Sequence, residues 1–252
     1  MPFTDRTRIL LGDSAVERLA RSRVCVFGLG GVGSACALDL VRAGVGSLAV
    51  VDFDVLQESN LNRVTFAYRD NLGLPKAEAF RAAALRVNPE VRVELIPSLV
   101  RGSEAADRIP EGCDYYLDAI DTLNPKTNLI VALAARGAPF ASCLGTAGRV
   151  APERLRLSSI WESRGCPLAQ KLRQRLRRRG VTRDFPAVWS DEPPVPPALP
   201  EDGSNPGDVA EGVRVRAVQG SGPFVPQAAG HILASVAVRA LLGLPFGGGP
   251  GL

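Results

Sequence analysis

Lysine is nearly missing from this chain. Lysines and arginines together number 30 against 26 acids in 252 residues, yet only Lys76, Lys126 and Lys171 are lysines, so arginine carries almost all the positive charge. The formal net charge of +4 permits an anionic partner and leaves the distribution of charge to decide. Histidine is scarcer still. His231 stands alone on an apolar stretch and reads as a packing residue, so histidine chemistry is not expected. The five cysteines, Cys25, Cys36, Cys113, Cys143 and Cys166, include no C-x-x-C pair, which excludes a structural zinc site of the usual spacing. "PFTDRTR" after Met1 is no secretory leader, so a cytoplasmic location with reduced thiols is expected. Long hydrophobic runs are lacking too. The longest, 224–246, is interrupted by Gln227, His231 and Arg239, which reads as a buried or membrane-contacting helix and not as a stable span.

What remains is the composition of a soluble globular protein, 46% hydrophobic and 22% charged, long enough for one large α/β domain over 1–252. "RVCVFG" and "SLAVVDFD" are short β-rich runs flanking an amphipathic segment from Ser34 to Ala43. That is a βαβ unit with a parallel sheet. A helix is predicted in "PKAEAFRAAALRVNP", then strands in "VRVELIPSLV" and "CDYYLDAID", a helix in "PKTNLIVALAARG" capped by Gly137, and a strand in "APFASCLGT". The alternation predicts a Rossmann-like, doubly wound, mostly parallel sheet over 1–150, with Gly28, Asp52, Asp118 and Asp121 at the carboxyl edge of the strands. Over 151–226 a basic helix precedes the tract "FPAVWSDEPPVPPALPEDGSNPGD", which is expected to form a loop or lid without regular elements. A C-terminal helix is predicted from Gln227, with a tail, over 227–252.

Gly28, Gly30 and Gly33 form G-x-G-x-x-G directly after a strand, a spacing that lets backbone N–H groups approach phosphate at a helix start. Asp52 closes the next strand, where an acid binds ribose hydroxyls of a dinucleotide or of ATP. "NLNR" then supplies Asn60 and Arg63, Lys76 follows, and Asp121 ends the strand "YYLDAID". Hydride transfer needs no such set of cations and acid, whereas a triphosphate with a metal ion does.

These segments, "GLGGVGS", "VDFD", "NLNR", "GLPKAEAFRAAALRVNP" and "DAIDTLNPK", resemble the adenylate-forming superfamily of ubiquitin-activating enzymes and the HesA/MoeB/ThiF group. Within it, "CPLAQKLRQRLRRRGV", "WSDEPP" and "GSGPFVPQAAGHILAS" are similar to the tRNA threonylcarbamoyladenosine dehydratases. The resemblance implies ATP and Mg2+ as cofactors. Gly28, Gly30, Gly31 and Gly33 would line the phosphates, Asp52 would take the ribose, and Asp54 in the same motif would also belong to the cofactor site. Asn60, Arg63 and Lys76 would hold the triphosphate, Asp121 would work with magnesium, and Arg6 would reach across a homodimer into the neighbouring site. The implied reaction is dehydration of threonylcarbamoyladenosine in tRNA through an acyl-adenylate, with the anticodon arm as partner. The chain departs from the superfamily at Val64, where glutamine usually stands.

Two further features carry alternatives. Cys166, before Pro167 at a predicted helix start, is either a nucleophile or a small half-buried residue. From Lys171 to Arg183 there are seven basic residues and no acid, while Leu168, Leu172 and Leu176 mark a buried stripe. Lys171, Arg173, Arg175, Arg177, Arg178 and Arg179 therefore face either tRNA phosphates or solvent. A second enzyme reading is activation of the C-terminus of a ubiquitin-like or sulfur-carrier protein. A third is a non-catalytic nucleotide-responsive RNA-binding protein, and a nicotinamide dehydrogenase is the weakest option.

Overall fold

The computed structural model describes residues 2–98, 109–197 and 219–246. Seven strands form one sheet: β1 (Arg23–Phe27), β2 (Ser47–Val51), β3 (Arg92–Ile96), β4 (Tyr115–Asp118), β5 (Phe140–Cys143), β6 (Leu155–Ser159) and β7 (Pro186–Ser190). Their order is β3-β2-β1-β4-β5-β7-β6, parallel throughout except for β6 against β7. The chain winds outward from β1 to β3 and returns to lay β4 on the other side of β1, so the strand order reverses between β1 and β4. Ligands of such sheets bind in the crevice outside the strand ends at that point.

Among the described residues there are seven α-helices beside the sheet: α1 (Asp5–Leu11), α2 (Asp13–Arg21), α3 (Gly31–Ala43), α4 (Lys76–Val87), α5 (Leu123–Ala135), α6 (Pro167–Arg178) and α7 (Phe224–Leu242). Alternation along the strands separates two apolar cores. Val24, Val26, Leu48 and Val50 pack with residues of α3, α4 and α7, while Cys25, Phe27, Ala49 and Val51 pack with α5 and α6. A sheet buried on both faces needs continuous apolar strands, which is how β1 and β2 read.

The α3–α7 crossing depends on Gly230. A Cβ there would lie 2.4 Å from the Val32 carbonyl oxygen, so only glycine admits this approach of backbones. By length and mean hydropathy (1.3) α7 could cross a membrane, but half of it is buried within the fold, as suits a core helix.

Three expectations need correction. The proline tract does form a strand at its start, because Pro186 occupies the first position of β7, where a missing N–H is tolerated, and Ala187–Ser190 then pair with β5 and β6. The partner strand β6 had no counterpart in the sequence reading. The tract beyond Pro197 lies outside the described residues as far as 218. Finally, α7 begins at Phe224, three residues ahead of Gln227, since Pro226 is compatible with a first helical turn.

Candidate active site

The glycine turn joins β1 to α3 at the crossover. Gly28 has φ +87, a left-handed conformation that glycine alone adopts freely, and Ala119 of the β4 loop lies against it, with its carbonyl oxygen 3.1 Å from the point a Cβ would occupy. Gly33 is the tightest position: a Cβ would come within 1.7 Å of the Gly28 oxygen. The turn therefore folds onto the first turn of α3, whose cap Gly30 makes no side-chain bond to the leading N–H groups. Such a helix end favours anions.

Asp52 holds this turn from the end of β2. Its carboxylate accepts from the Leu29 N–H at 2.6 Å and from the Asp54 N–H at 2.8 Å. Burial raises its pKa above the ordinary value, against the pull of Lys76 and of those two N–H groups. Each oxygen keeps a second lone pair, so hydroxyl donors can still be accepted. Lys76, buried at the start of α4, pairs with the half-exposed Asp54 at 2.7 Å. The sequence placed Asp54 and Lys76 separately near a ligand; in the fold they are partners. An ammonium at 9% side-chain exposure held by one carboxylate is a cation available to a competing anion.

Arg63 lies over the glycine turn, its Cβ and Cδ each 3.3 Å from the point where Gly31 would carry a Cβ. Its guanidinium donates to the Ser59 carbonyl and to Asn62, and its carbonyl accepts from Gln227 of α7. Asn60 is buried and caps its own 3-10 turn by accepting from the Gln57 N–H. Val64, where a polar side chain was expected, is part of the α3–α4–α7 core.

The β4 side differs from expectation. The strand ends at Asp118, not at Asp121, because Asp118 turns inward and accepts from the Ile120 N–H, from Lys126 (2.5 Å) and from Ser142 (2.6 Å). Lys126 also donates to Ser142 and the Cys143 carbonyl, so this fully buried pair is fully bonded. It anchors the Ala119–Asp121 turn and leaves Asp121 exposed on the rim. Sequence reading missed Lys126 and Ser142, whose only signal was their place in "DAIDTLNPK" and "APFASCLGT".

Arg6 is exposed on α1, none of whose residues is buried, and Phe3, Ile9 and Leu10 beside it are also exposed. Cys166 stands at the cap position of α6 and is buried, in the apolar cluster that also holds Ala169, Leu172 and Trp189. Burial pushes the Cys143 thiol up to about 12 and raises Cys25 and Cys36 as well, so none of these is a thiolate near neutrality. His231 is not a packing residue. It is exposed on α7 and pairs with Asp39 of α3 at 2.5 Å, because the helix turns its apolar stripe to the sheet and His231 falls opposite.

The basic helix also divides. Arg173 turns inward and donates to Ser163, Arg175 and Arg179 donate to Asn124 and Asn128 of α5, and Arg177 lies over Trp161. Lys171 and Arg178 are exposed without such a partner among the described residues.

Among the described residues no cluster of three histidine, cysteine or carboxylate side chains could cage a metal. Asp121 presents a single free carboxylate beside a phosphate-type turn, which fits a magnesium ion carried in with a nucleotide.

Similarity to known proteins is consistent along the chain. The tRNA threonylcarbamoyladenosine dehydratase of Bacillus subtilis is 31% identical over 94% of this chain and 93% of its own length. That of Escherichia coli is 36% identical over 68% of this chain and 64% of its own length, just under two thirds. Crystal structures of E. coli tRNA N6-threonylcarbamoyladenosine dehydratase in complex with ATP and with AMP superpose with a TM-score of 0.83 at 30% identity, covering 95% of this chain and 93% of that one. The glycine turn, the ends of β2 and β4 and the helices beyond them all fall within residues 4–246, the span matched by the ThiF family, and the chain belongs to that family.

Proposed function

We propose that this protein is an ATP-dependent dehydratase that cyclises threonylcarbamoyladenosine in tRNA. The observation that carries the reading is the extent of the likeness to the E. coli dehydratase, which covers 95% of this chain and so reaches well beyond the nucleotide half.

The substrate carboxylate attacks the α-phosphate of ATP, pyrophosphate leaves, and a ureido nitrogen of the same side chain closes on the activated carbonyl to release AMP. The turn from Gly28 to Gly33 and the α3 terminus cradle phosphate, and Asp52 takes the ribose. Lys76 exchanges Asp54 for phosphate oxygens and, with Arg63, stabilises the charge that develops there. Asp121 would hold Mg2+, which would neutralise phosphate charge when bound. Cys166 forms no thioester, since the nucleophile belongs to the substrate. Lys171 and Arg178 contact the backbone of the anticodon arm. The exposed Phe3, Ile9 and Leu10 form a homodimer contact that delivers Arg6 to the partner's site.

The test is incubation of the purified chain with ATP and tRNA bearing the modified nucleoside, followed by mass spectrometry of nucleosides. Loss of one water with stoichiometric AMP and pyrophosphate is expected. AMP formed only with a carrier protein's C-terminus, and no change in the tRNA, selects the carrier-activating reading.

A further inference from the structure

One strand beyond the nucleotide crevice, the loop after β5 brings Gly145 and Arg149 against the start of α6. Arg149 is 5% exposed, an unusual place for a guanidinium. Its Nε donates to the Glu192 carbonyl at 2.9 Å and its Nη1 to the Gly145 carbonyl, but Nη2 is enclosed without a hydrogen-bond partner among the described residues. Among the described residues no carboxylate hydrogen-bonds the guanidinium: Glu192, whose pKa its charge helps to lower, accepts from the Val150 and Ala151 N–H groups instead. A buried charged donor left unbonded is costly and marks an absent acceptor.

The surroundings fit an anion. The point where Gly145 would carry a Cβ lies 3.4 Å from Cys166 Sγ, 3.5 Å from Arg149 Nη1 and 3.6 Å from Leu168 Cβ, so the glycine leaves a small cradle between the guanidinium and the α6 terminus. That terminus has no side-chain cap. Proline at its first position removes one N–H, and the remaining leading N–H groups and the helix dipole favour negative charge.

We propose that Arg149 is the binding residue for the carboxylate of the acyl substrate, an inference that rests on the proposed function. One carboxylate oxygen attacks the α-phosphate, forming the new O–P bond as the bond to pyrophosphate breaks. The other oxygen stays on Arg149 Nη2 and becomes the acyl carbonyl. When the ureido nitrogen adds to that carbonyl carbon, the same contact stabilises the negative charge on oxygen until the C–O bond to AMP breaks and the nitrogen's proton passes to solvent. The strap Asp191–Val195, joined to the loop by the Val195 N–H to Gly148 carbonyl bond, covers the guanidinium, so substrate enters by parting it.

The experiment compares binding of the full chain to tRNA bearing threonylcarbamoyladenosine and to the same tRNA unmodified, with ATP affinity as control. Wild type should prefer the modified tRNA by roughly ten- to a hundredfold, the effect of one hydrogen bond to a charged group. Arg149→Gln should abolish the preference while affinities for unmodified tRNA and ATP hold, and Arg149→Lys should restore part of it. Gly145→Ala meets only van der Waals contacts, keeps the fold and the charge, and should weaken the preference by filling the cradle. A folded Arg149→Gln protein that still prefers modified tRNA overturns the proposal. If that variant does not fold, an unchanged preference in Gly145→Ala overturns it. A wild type that never converts modified tRNA with ATP refutes the proposed function itself, whatever Arg149 does.

Discussion

Lys76 and Asp121 share the rim of one crevice in opposite states, the lysine buried and paired with Asp54, the aspartate exposed. Lys76→Ala and Asp121→Ala should each lower ATP-dependent turnover at least about a hundredfold, the scale of losing a charge aimed at a transition state. Circular dichroism should remain that of wild type, and turnover within tenfold of wild type in either variant would remove adenylation from the account. Asp52 gives a pH dependence. Its folded pKa is raised above the ordinary 3.8, so its contribution to stability is present below that value and is lost as pH rises through the raised one. Urea unfolding should show the margin of wild type over Asp52→Asn shrinking from about pH 4 to pH 7. A margin that grows contradicts the burial argument.

At the scale of elements, α6 is amphipathic in charge as well as polarity. Leu172 and Leu176 fill the core under α5, and of the six basic residues from Lys171 to its C-cap Arg179 four are engaged with Ser163, Trp161, Asn124 and Asn128. The two remaining cations set the expectation for RNA. Lys171→Ala with Arg178→Ala should reduce the salt slope of tRNA binding by roughly 1.4 to 1.8, at about 0.7 to 0.9 per phosphate contact. Arg173→Ala should leave the slope unchanged and lower the unfolding midpoint, because its partners are Ser163 atoms. Equal slopes for wild type and the double variant would make the helix a solvated face.

At the scale of the whole molecule, α1 presents Ile9 and Leu10, each at least three-quarters exposed, beside Arg6. Apolar side chains grouped on one short helix are costly unless covered. Mixing Arg6→Ala with Lys76→Ala subunits should recover activity at one of the two sites, since both defects then fall in the same composite site and the other is intact. No recovery despite verified subunit exchange, measured by native mass spectrometry, would place Arg6 in its own subunit's site or outside any.

The sequence by itself determined the βαβ unit and the winding of the sheet, because period-two and period-3.6 patterns and the spacing of Gly28, Gly30 and Gly33 are local properties. It singled out Asp52, Arg63, Lys76 and Asp121 as candidates for the same reason, since each stands at or beyond a recognisable strand or turn. Only the tertiary structure decided which of these touch. The Lys76–Asp54 pair joins residues 22 apart, and the Lys126–Asp118–Ser142 network joins α5, β4 and β5 across the sheet. The strand at Pro186 was hidden because its pairing partners lie 45 residues away in β5 and 27 to 35 residues away in β6, and proline at its first position masks the pattern. Arg149 was indistinguishable from the other arginines until burial removed its water, since an unbonded donor is a property of an enclosure and not of a sequence.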